Sequence, residues 1–210
     1  MTNEISKRFR GFLPIVIDVE TGGLEPKQDA LLELAAITIE MNEEGFIFPG
    51  EQFHYHILPF HNANLDPKSL AFNKIDPLHP LRFAIEEKDA IKDLCSHINK
   101  ACKKNHCQRA VLVGHNAWFD QHFLNSAIDR SGINKSPFHR FTSFDTATLS
   151  GLAFGQTVLS KALEAAHIPF DNEEAHSALY DAERTAELFC YIVNHWKTLT
   201  TVAQTPFHGE

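Results

Sequence analysis

The chain has 210 residues, a net charge of −8 at pH 7 and a hydrophobic content of 43%. It contains no apolar run long enough to cross a bilayer and no signal-peptide pattern at its start, and its four cysteines lack paired C-x-x-C spacing. These features exclude a membrane-spanning protein and a disulfide-stabilised secreted domain, and we expect a cytoplasmic protein.

Hydrophobic periodicity predicts strands and helices that alternate along the chain. Because we find no repeat and no linker, we expect a single α/β domain over 1–210, with short flexible ends at roughly 1–6 and 200–210. The predicted elements are strands over 13–19, 32–41 and 53–59, a polar connection through Pro80, a helix over 84–104, a strand over 110–114, and helices over 117–131, 157–166 and 174–196.

Acidic residues lie beside apolar segments at three places in the chain. Asp18 and Glu20 follow the run 13–17, which is typical of a buried strand, and residues i and i+2 of a strand point to the same face. Asp120 and Asp181 fall in two predicted helices. Close carboxylates repel each other unless a cation lies between them, and hard oxygen ligands favour Mg²⁺ or Mn²⁺ over zinc. Each motif alone also fits a charged edge, a helix cap or a surface pair, so the prediction of a metal site depends on their joint occurrence.

The motifs resemble those of the DEDD superfamily of 3′→5′ exonucleases, in its histidine subclass. Asp18 and Glu20 match the first motif, Asp120 the second and Asp181 the third, with His176 five residues earlier. The resemblance implies the ribonuclease H-like architecture, a three-layer fold in which helices flank a mixed central sheet. Within the superfamily the chain resembles the ribonuclease T family through stretches around 8–11, 17–21, 70–77, 141–147, 155–161 and 176–185.

The resemblance also implies a two-metal site. Asp18 would bridge two Mg²⁺ ions, or Mn²⁺ in their place, about 3.5–4 Å apart. Glu20 and Asp181 would complete one metal site, and Asp120 would hold the other ion.

His176 is the general base that the resemblance implies, and an unperturbed pKa of roughly 6.5 suits it to take a proton from water near neutral pH. His115 is the rival, although its position between a strand and a helix favours an orienting role. The implied activity is that of a 3′→5′ exoribonuclease that trims the 3′ ends of tRNA and other stable RNAs, and also single-stranded DNA, with release of nucleoside 5′-monophosphates.

Aromatic side chains are expected to seat the terminal bases. The resemblance to the ribonuclease T family singles out Phe72, Phe119 and Phe141 as wedges that stack on bases, and stacking is worth about 1–3 kcal/mol per base. A fourth wedge follows the glycine of the first motif, where this chain has Leu24. An aliphatic side chain packs on a base without π overlap, so this departure leaves the terminal-base preference open.

Basic residues cluster although the net charge is negative. The stretches 94–119 and 130–144 contain no acid, and a third basic cluster lies near the start of the chain. A solvated face is the simpler interpretation of each cluster, but beside a nuclease motif we expect phosphate contacts. By the resemblance the basic patch of one subunit faces the active site of the other, so a homodimer is implied. The residues assigned to phosphate contact are Arg8, Arg10, Lys103, Lys104 and Arg109.

Two other functions fit the same motifs. A proofreading DNA exonuclease subunit or an oligoribonuclease carries the same subclass motifs, although the stretches 70–73 and 141–147 argue against both. A catalytically silent nucleic-acid-binding module would keep the fold, but here all four acids and the histidine are present. The sequence does not rank tRNA, other RNA and DNA as substrates.

Overall fold

A single mixed sheet forms the centre of the molecule in a computed structural model that describes residues 4–175 and 177–203. The strand order is β4-β3-β2-β1-β5-β6. The strands are β1 (Phe12–Thr21), β2 (Leu31–Met41), β3 (Ile47–Leu58), β4 (Ile85–Glu86), β5 (Arg109–Gly114) and β6 (Phe138–Asp145).

Strand β1 lies inside the sheet and joins its two halves. It pairs antiparallel with β2 and parallel with β5, and β6 continues the parallel half beside β5. Its middle residues Ile15, Val16 and Ile17 are fully buried. The near-continuous apolar run of β1 therefore reflects burial on both faces.

Helices pack against this sheet in two groups. One group has α3 and α4 in contact with each other and with the sheet, and the other has α7 against β1, β2 and β3, with α5 and α6 beside it. The expected three-layer α/β fold is confirmed. The helices are α1 (Ile5–Arg8), α2 (Pro67–Asn73), α3 (Glu87–Lys104), α4 (Trp118–Arg130), α5 (Thr146–Phe154), α6 (Leu159–Ala165) and α7 (Ala178–Ala203).

Five elements were not predicted from the sequence: the strands β4 and β6 and the helices α1, α2 and α5. Strand β4 takes up residues 85–86, where the predicted helix over 84–104 was expected to begin, so that helix starts at Glu87 instead. Strand β6 is exposed or half-buried at most of its positions and pairs with β5 alone, so it lacks the apolar run that marks the inner strands. Helix α5 depends on its ends: the Asp145 side chain accepts a hydrogen bond from the Ala147 N–H at 2.8 Å, and Gly155 ends the helix in the left-handed conformation. Strand β3 also begins at Ile47, six residues before the predicted start at 53.

The two ends of the described chain are helical. Ile5 in α1 is buried in the core, and α7 continues to Ala203, so residues 5–6 and 200–203 of the predicted flexible ends lie in helices. Residues 1–3 and 204–210 fall outside the described part. Among the described helices, none combines the length and the apolar character that a membrane crossing needs.

Candidate active site

The four acidic residues predicted from the sequence line one open cavity of about 850 Å³. Asp18 and Glu20 come from the C-terminal half of β1, Asp120 from the first turn of α4 and Asp181 from the first turn of α7. Ligands of α/β sheets commonly bind at the C-terminal ends of parallel strands, and this cavity lies at that end of β1.

Three of the carboxylates lie close together, and the fourth is hydrogen-bonded to β1, the strand that carries two of them. Asp18, Glu20 and Asp181 each offer an oxygen atom, and these atoms lie within 4.8 Å of one another. The Asp120 carboxylate accepts a hydrogen bond from the backbone N–H of Val19 at 3.2 Å. Such a set of oxygen ligands fits a hard divalent cation such as Mg²⁺ or Mn²⁺.

The acids of this cavity destabilise one another's charged forms. Burial raises the pKa of Asp18 well above its ordinary value, and the neighbouring acids Asp120, Asp181 and Glu20 raise it further. Burial, followed by the charge of Asp181, raises the pKa of Glu20 to about 8. Burial also raises the pKa of Asp120. A divalent cation among these oxygens would reverse this repulsion, so the electrostatics of the residues fit a metal centre.

A neighbouring acid shows the opposite pattern. Glu33 on β2 lies opposite Glu20 in one strand pair and opposite His56 in the other. Its two carboxylate oxygens lie 2.9 Å from Nδ1 of His56 and 3.7 Å from Nε2 of His54. Burial by itself raises the pKa of Glu33, but the contact with His54 and the charges of both histidines bring it below the ordinary value. Histidines therefore balance the Glu33 charge, whereas among the described residues the charges that act on Asp18 are negative.

Two polar residues that received no role from the sequence hold the site in place. The buried Asn73 donates from Nδ2 to the carbonyl oxygen of Thr21 at 3.0 Å, and its amide contact with Glu20 partly offsets the rise in that residue's pKa. Asp145 accepts a hydrogen bond from the Asn116 N–H at 3.1 Å and so fixes the turn before α4. Asn73 ends the stretch 70–73, and that position was the only sequence signal for it.

Of the two histidines considered as the general base, only His115 lies in the part of the chain that the structure describes. His176 lies outside the described residues, two positions before the start of α7. His115 lines the cavity, but its Nδ1 lies 3.0 Å from Oγ1 of Thr146 and its Nε2 2.9 Å from the carbonyl oxygen of Thr157. Because a carbonyl oxygen only accepts, Nε2 carries the proton, and both ring nitrogens are engaged. Burial lowers the pKa of His115, and the two contacts of its ring bridge the site and the segment after α5.

The predicted base-stacking residues divide between two cavities. Phe72, Phe119 and Leu24 line the cavity of the acids. Phe141, whose side chain is 85% exposed, lines an adjacent cavity of about 620 Å³. Trp118, which was not predicted from the sequence, also lines the first cavity, with its side chain 59% exposed.

The basic residues lie at the other end of the strands. Arg109 begins β5 and pairs with Phe12 at the start of β1, and a strand rise of about 3.3 Å per residue puts this end roughly 20 Å from Asp18. Arg10, Lys103 and Arg109 are exposed. Lys104 is exposed too and forms an ion pair of 3.3 Å with Glu40.

Arg8 differs from the other predicted phosphate ligands. Its Nη1 donates to the carbonyl oxygen of Gly45 at 3.1 Å and its Nη2 to that of Val193 at 3.0 Å. Burial lowers the pKa of this guanidinium. The geometry favours an anchor that ties α1 to α7 and to the β2–β3 turn over a phosphate contact.

Comparison with known proteins first defines the class. A family model described as Exonuclease matches residues 15–189, which include all four acidic residues of the cavity. Ribonuclease T of Photorhabdus laumondii is 56% identical over 197 residues, covering 94% of this chain and 91% of that protein. Ribonuclease T of Shewanella oneidensis is also 56% identical, over 94% of this chain and 89% of that protein. The chain therefore belongs to the ribonuclease T family of exonucleases.

Solved structures agree on the fold. Escherichia coli exonuclease I in complex with a dT13 oligonucleotide superposes with a TM-score of 0.68 at 17% identity, over 91% of this chain. This chain spans 43% of that exonuclease I chain. A full-length 3′-exonuclease superposes with a TM-score of 0.67 at 17% identity, over 88% of this chain and 82% of that one. The predicted ribonuclease H-like architecture is confirmed.

Proposed function

We propose that this 3′→5′ exoribonuclease trims single-stranded 3′ ends of tRNA and other stable RNAs, and of single-stranded DNA, with release of nucleoside 5′-monophosphates. The observation that carries the proposal is the convergence of Asp18, Glu20, Asp120 and Asp181 on one open cavity, with pKa values raised by burial and mutual repulsion. The relatives named ribonuclease T and the structural neighbours solved with dT13 and dA16 oligonucleotides support it.

The acids would hold two Mg²⁺ or Mn²⁺ ions. Glu20, Asp181 and Asp18 would contact one ion, and Asp18 and Asp120 the other. Ions bound there supply Lewis-acid stabilisation of the negative charge that develops on the phosphate oxygens. The carboxylates would position the ions, and the Val19–Asp120 hydrogen bond keeps Asp120 close to the acids of β1.

His176 would take the proton from the attacking water. Its place in the sequence, five residues before Asp181, supports this role. His115 would act as a positioning residue, because the contacts of its ring nitrogens with Thr146 and Thr157 tie the β5 end of the site to the segment that follows α5.

The aromatic side chains would seat the 3′ end. Phe72 and Phe119 share the cavity with the acids, so they would stack on the base of the nucleotide being removed. Phe141 would contact a base further from the scissile bond, in keeping with its place in the adjacent cavity. Leu24 would pack against a base face without π overlap.

The working unit would be a homodimer. The exposed Arg10, Lys103, Lys104 and Arg109 lie near the N-terminal ends of β1 and β5, away from their own acidic cavity, and the acids repel an approaching phosphate chain. The patch of one subunit would therefore hold the RNA 5′ of the bond that the partner cleaves.

The test uses RNA with a labelled 5′ end and a single-stranded 3′ tail. With Mg²⁺ we expect a ladder of labelled products that shorten from the 3′ end, and we expect 5′-mononucleotides to be released. Addition of EDTA should stop the shortening and the release, and so should the substitution Asp181→Asn. Glu164→Gln, at an exposed acid paired with Lys161, is the charge-matched control and should keep full activity. Internal cleavage, or turnover without a divalent ion, would refute the proposal. Degradation of DNA alone would favour the proofreading alternative.

A further inference from the structure

We propose that Trp118 is a base-stacking residue, a role the family motifs do not assign to it. The inference rests on the proposed exonuclease function and extends it to a new contact on the substrate. Trp118 is the first residue of α4, it lines the cavity of the acids, and its side chain is 59% exposed. Phe72 and Leu24 are also exposed in that cavity, so the indole belongs to an apolar surface beside the acids for which a nucleobase is the matching ligand.

The indole is held in place by its neighbours. Its ring meets the Phe119 ring at a centroid distance of 5.8 Å and an interplanar angle of 87°, and the His122 ring at 5.9 Å and 74°. Two near-perpendicular contacts restrict its rotamers before substrate arrives. A preorganised aromatic surface loses little conformational entropy when a base stacks on it.

Trp118 also lies at the junction of the two cavities. Its neighbour Phe119 lines the cavity of the acids, and its other neighbour His122 lines the cavity that contains Phe141. A single strand that extended from the acids toward Phe141 would pass this point. The indole would therefore stack on a base near the 3′ end, one of the last three.

The proposed stacking contact of Trp118 matters more in this chain because Leu24, in the same cavity, is not aromatic. Leu24 lines the same cavity with its side chain 74% exposed, and it offers no aromatic face. The bicyclic indole supplies π surface to that cavity, and it overlaps a bicyclic purine over a larger area than a pyrimidine.

The chain offers a matched control, because its second tryptophan is equally exposed. Trp196 lies in α7 with its side chain 58% exposed, fifteen residues beyond Asp181, which is roughly 22 Å along the helix. Trp118→Ala should raise KM for single-stranded RNA roughly 5- to 150-fold with little change in kcat, the fold-change expected for one lost stacking contact. Trp118→Phe should restore most of the loss, and Trp196→Ala should leave both constants unchanged. Equal KM values for Trp118→Ala and the unaltered protein would overturn the inference.

Abasic substrates identify the base. RNA oligomers with an abasic residue at each of the last three positions in turn should bind the unaltered protein less tightly. At one of these positions the loss should vanish in Trp118→Ala, because the stacking contact is already absent in that variant. Additive losses at all three positions would overturn the inference.

Fluorescence provides a readout without turnover. In an Asp18→Asn background, Trp196→Phe leaves Trp118 as the one indole, and the tetranucleotide of adenosine should quench its emission on titration. The companion variant with Trp118→Phe keeps Trp196 and should show no quenching. An unquenched Trp118 at saturating oligonucleotide would refute stacking. If instead the unaltered protein released no mononucleotide from any substrate, the proposed function itself would fail, which separates the two outcomes.

Discussion

The backbone N–H of Val19 donates a hydrogen bond of 3.2 Å to Oδ1 of Asp120. Val19 lies between Asp18 and Glu20 in the sequence, so this buried hydrogen bond joins strand β1 to helix α4. It satisfies a backbone donor and at the same time fixes the acid of the second motif beside the acids of the first. The same carboxylate thus has a structural partner and a proposed metal to bind.

Replacement of Asp120 should separate these two roles. Asp120→Asn keeps an oxygen acceptor for the Val19 N–H, whereas Asp120→Ala leaves that buried donor without a partner, which costs about 1–3 kcal/mol. We expect both variants to lose nearly all activity, and we expect the alanine variant to be less stable than the asparagine variant by about that amount. Urea unfolding in EDTA measures the difference. Equal stability of the two variants would show that the hydrogen bond contributes little.

The raised pKa of Glu20 predicts how the metal-free protein responds to pH. Its ordinary pKa of 4.5 rises to about 8 in the folded state, so between these values the folded chain binds more protons than the unfolded chain at this group. Stability should therefore fall as pH rises from about 5 to 8, and Mg²⁺ should raise Tm more at pH 8 than at pH 5.5. Glu20→Gln should flatten the fall, as measured by thermal unfolding in EDTA. Parallel Tm–pH curves for the two proteins would contradict the prediction.

The two histidines should differ in kinetics. If His176 is the general base, His176→Ala should lose about 10²–10⁴ in kcat with little change in KM, and the rise of rate with pH through the histidine range should disappear. His115→Ala loses the contacts with Thr146 and Thr157, so it should lower Tm and reduce activity less. A larger kcat loss in His115→Ala, with the pH dependence abolished, would assign the base to His115 instead.

The basic patch should act across the dimer. Neutralisation of Arg10 or Arg109 should raise KM and reduce the slope of log affinity against log salt by roughly 0.7 for each lost phosphate contact. Lys161→Gln, which removes the same charge from an exposed residue of α6, is the control. Arg8→Ala should instead lower Tm, because it removes two hydrogen bonds to backbone carbonyls.

Mixed dimers test the geometry directly. A subunit with Asp18→Asn and a subunit with Arg10 and Arg109 both neutralised should be poorly active alone and should regain activity when mixed, because one intact cavity then faces one intact patch. A fully active monomer by sedimentation at assay concentration would refute this arrangement, and the patch would then serve its own cavity.

The inner half of the fold and the acids of the site are predictable from the amino-acid sequence alone. The run 13–17 predicts a strand because a segment buried on both faces must be apolar at every position, and β1 is such a strand. Asp18, Glu20, Asp120 and Asp181 stand out because charged groups beside apolar segments are costly without a function. Their order and spacing match those of known exonucleases.

The surroundings of those acids and the roles of the remaining charges depend on contacts that form only when the chain folds. The edge strand β6 pairs on one side only, so its sequence carries little apolar signal. Arg8 resembles a phosphate ligand in sequence, but its contacts are with Gly45 and Val193, and partners 37 and 185 residues away leave no local pattern. Trp118 resembles an ordinary helix residue in sequence, and its place in the cavity of the acids depends on the packing of α4 against β1, β5 and β6, which sequence spacing does not encode.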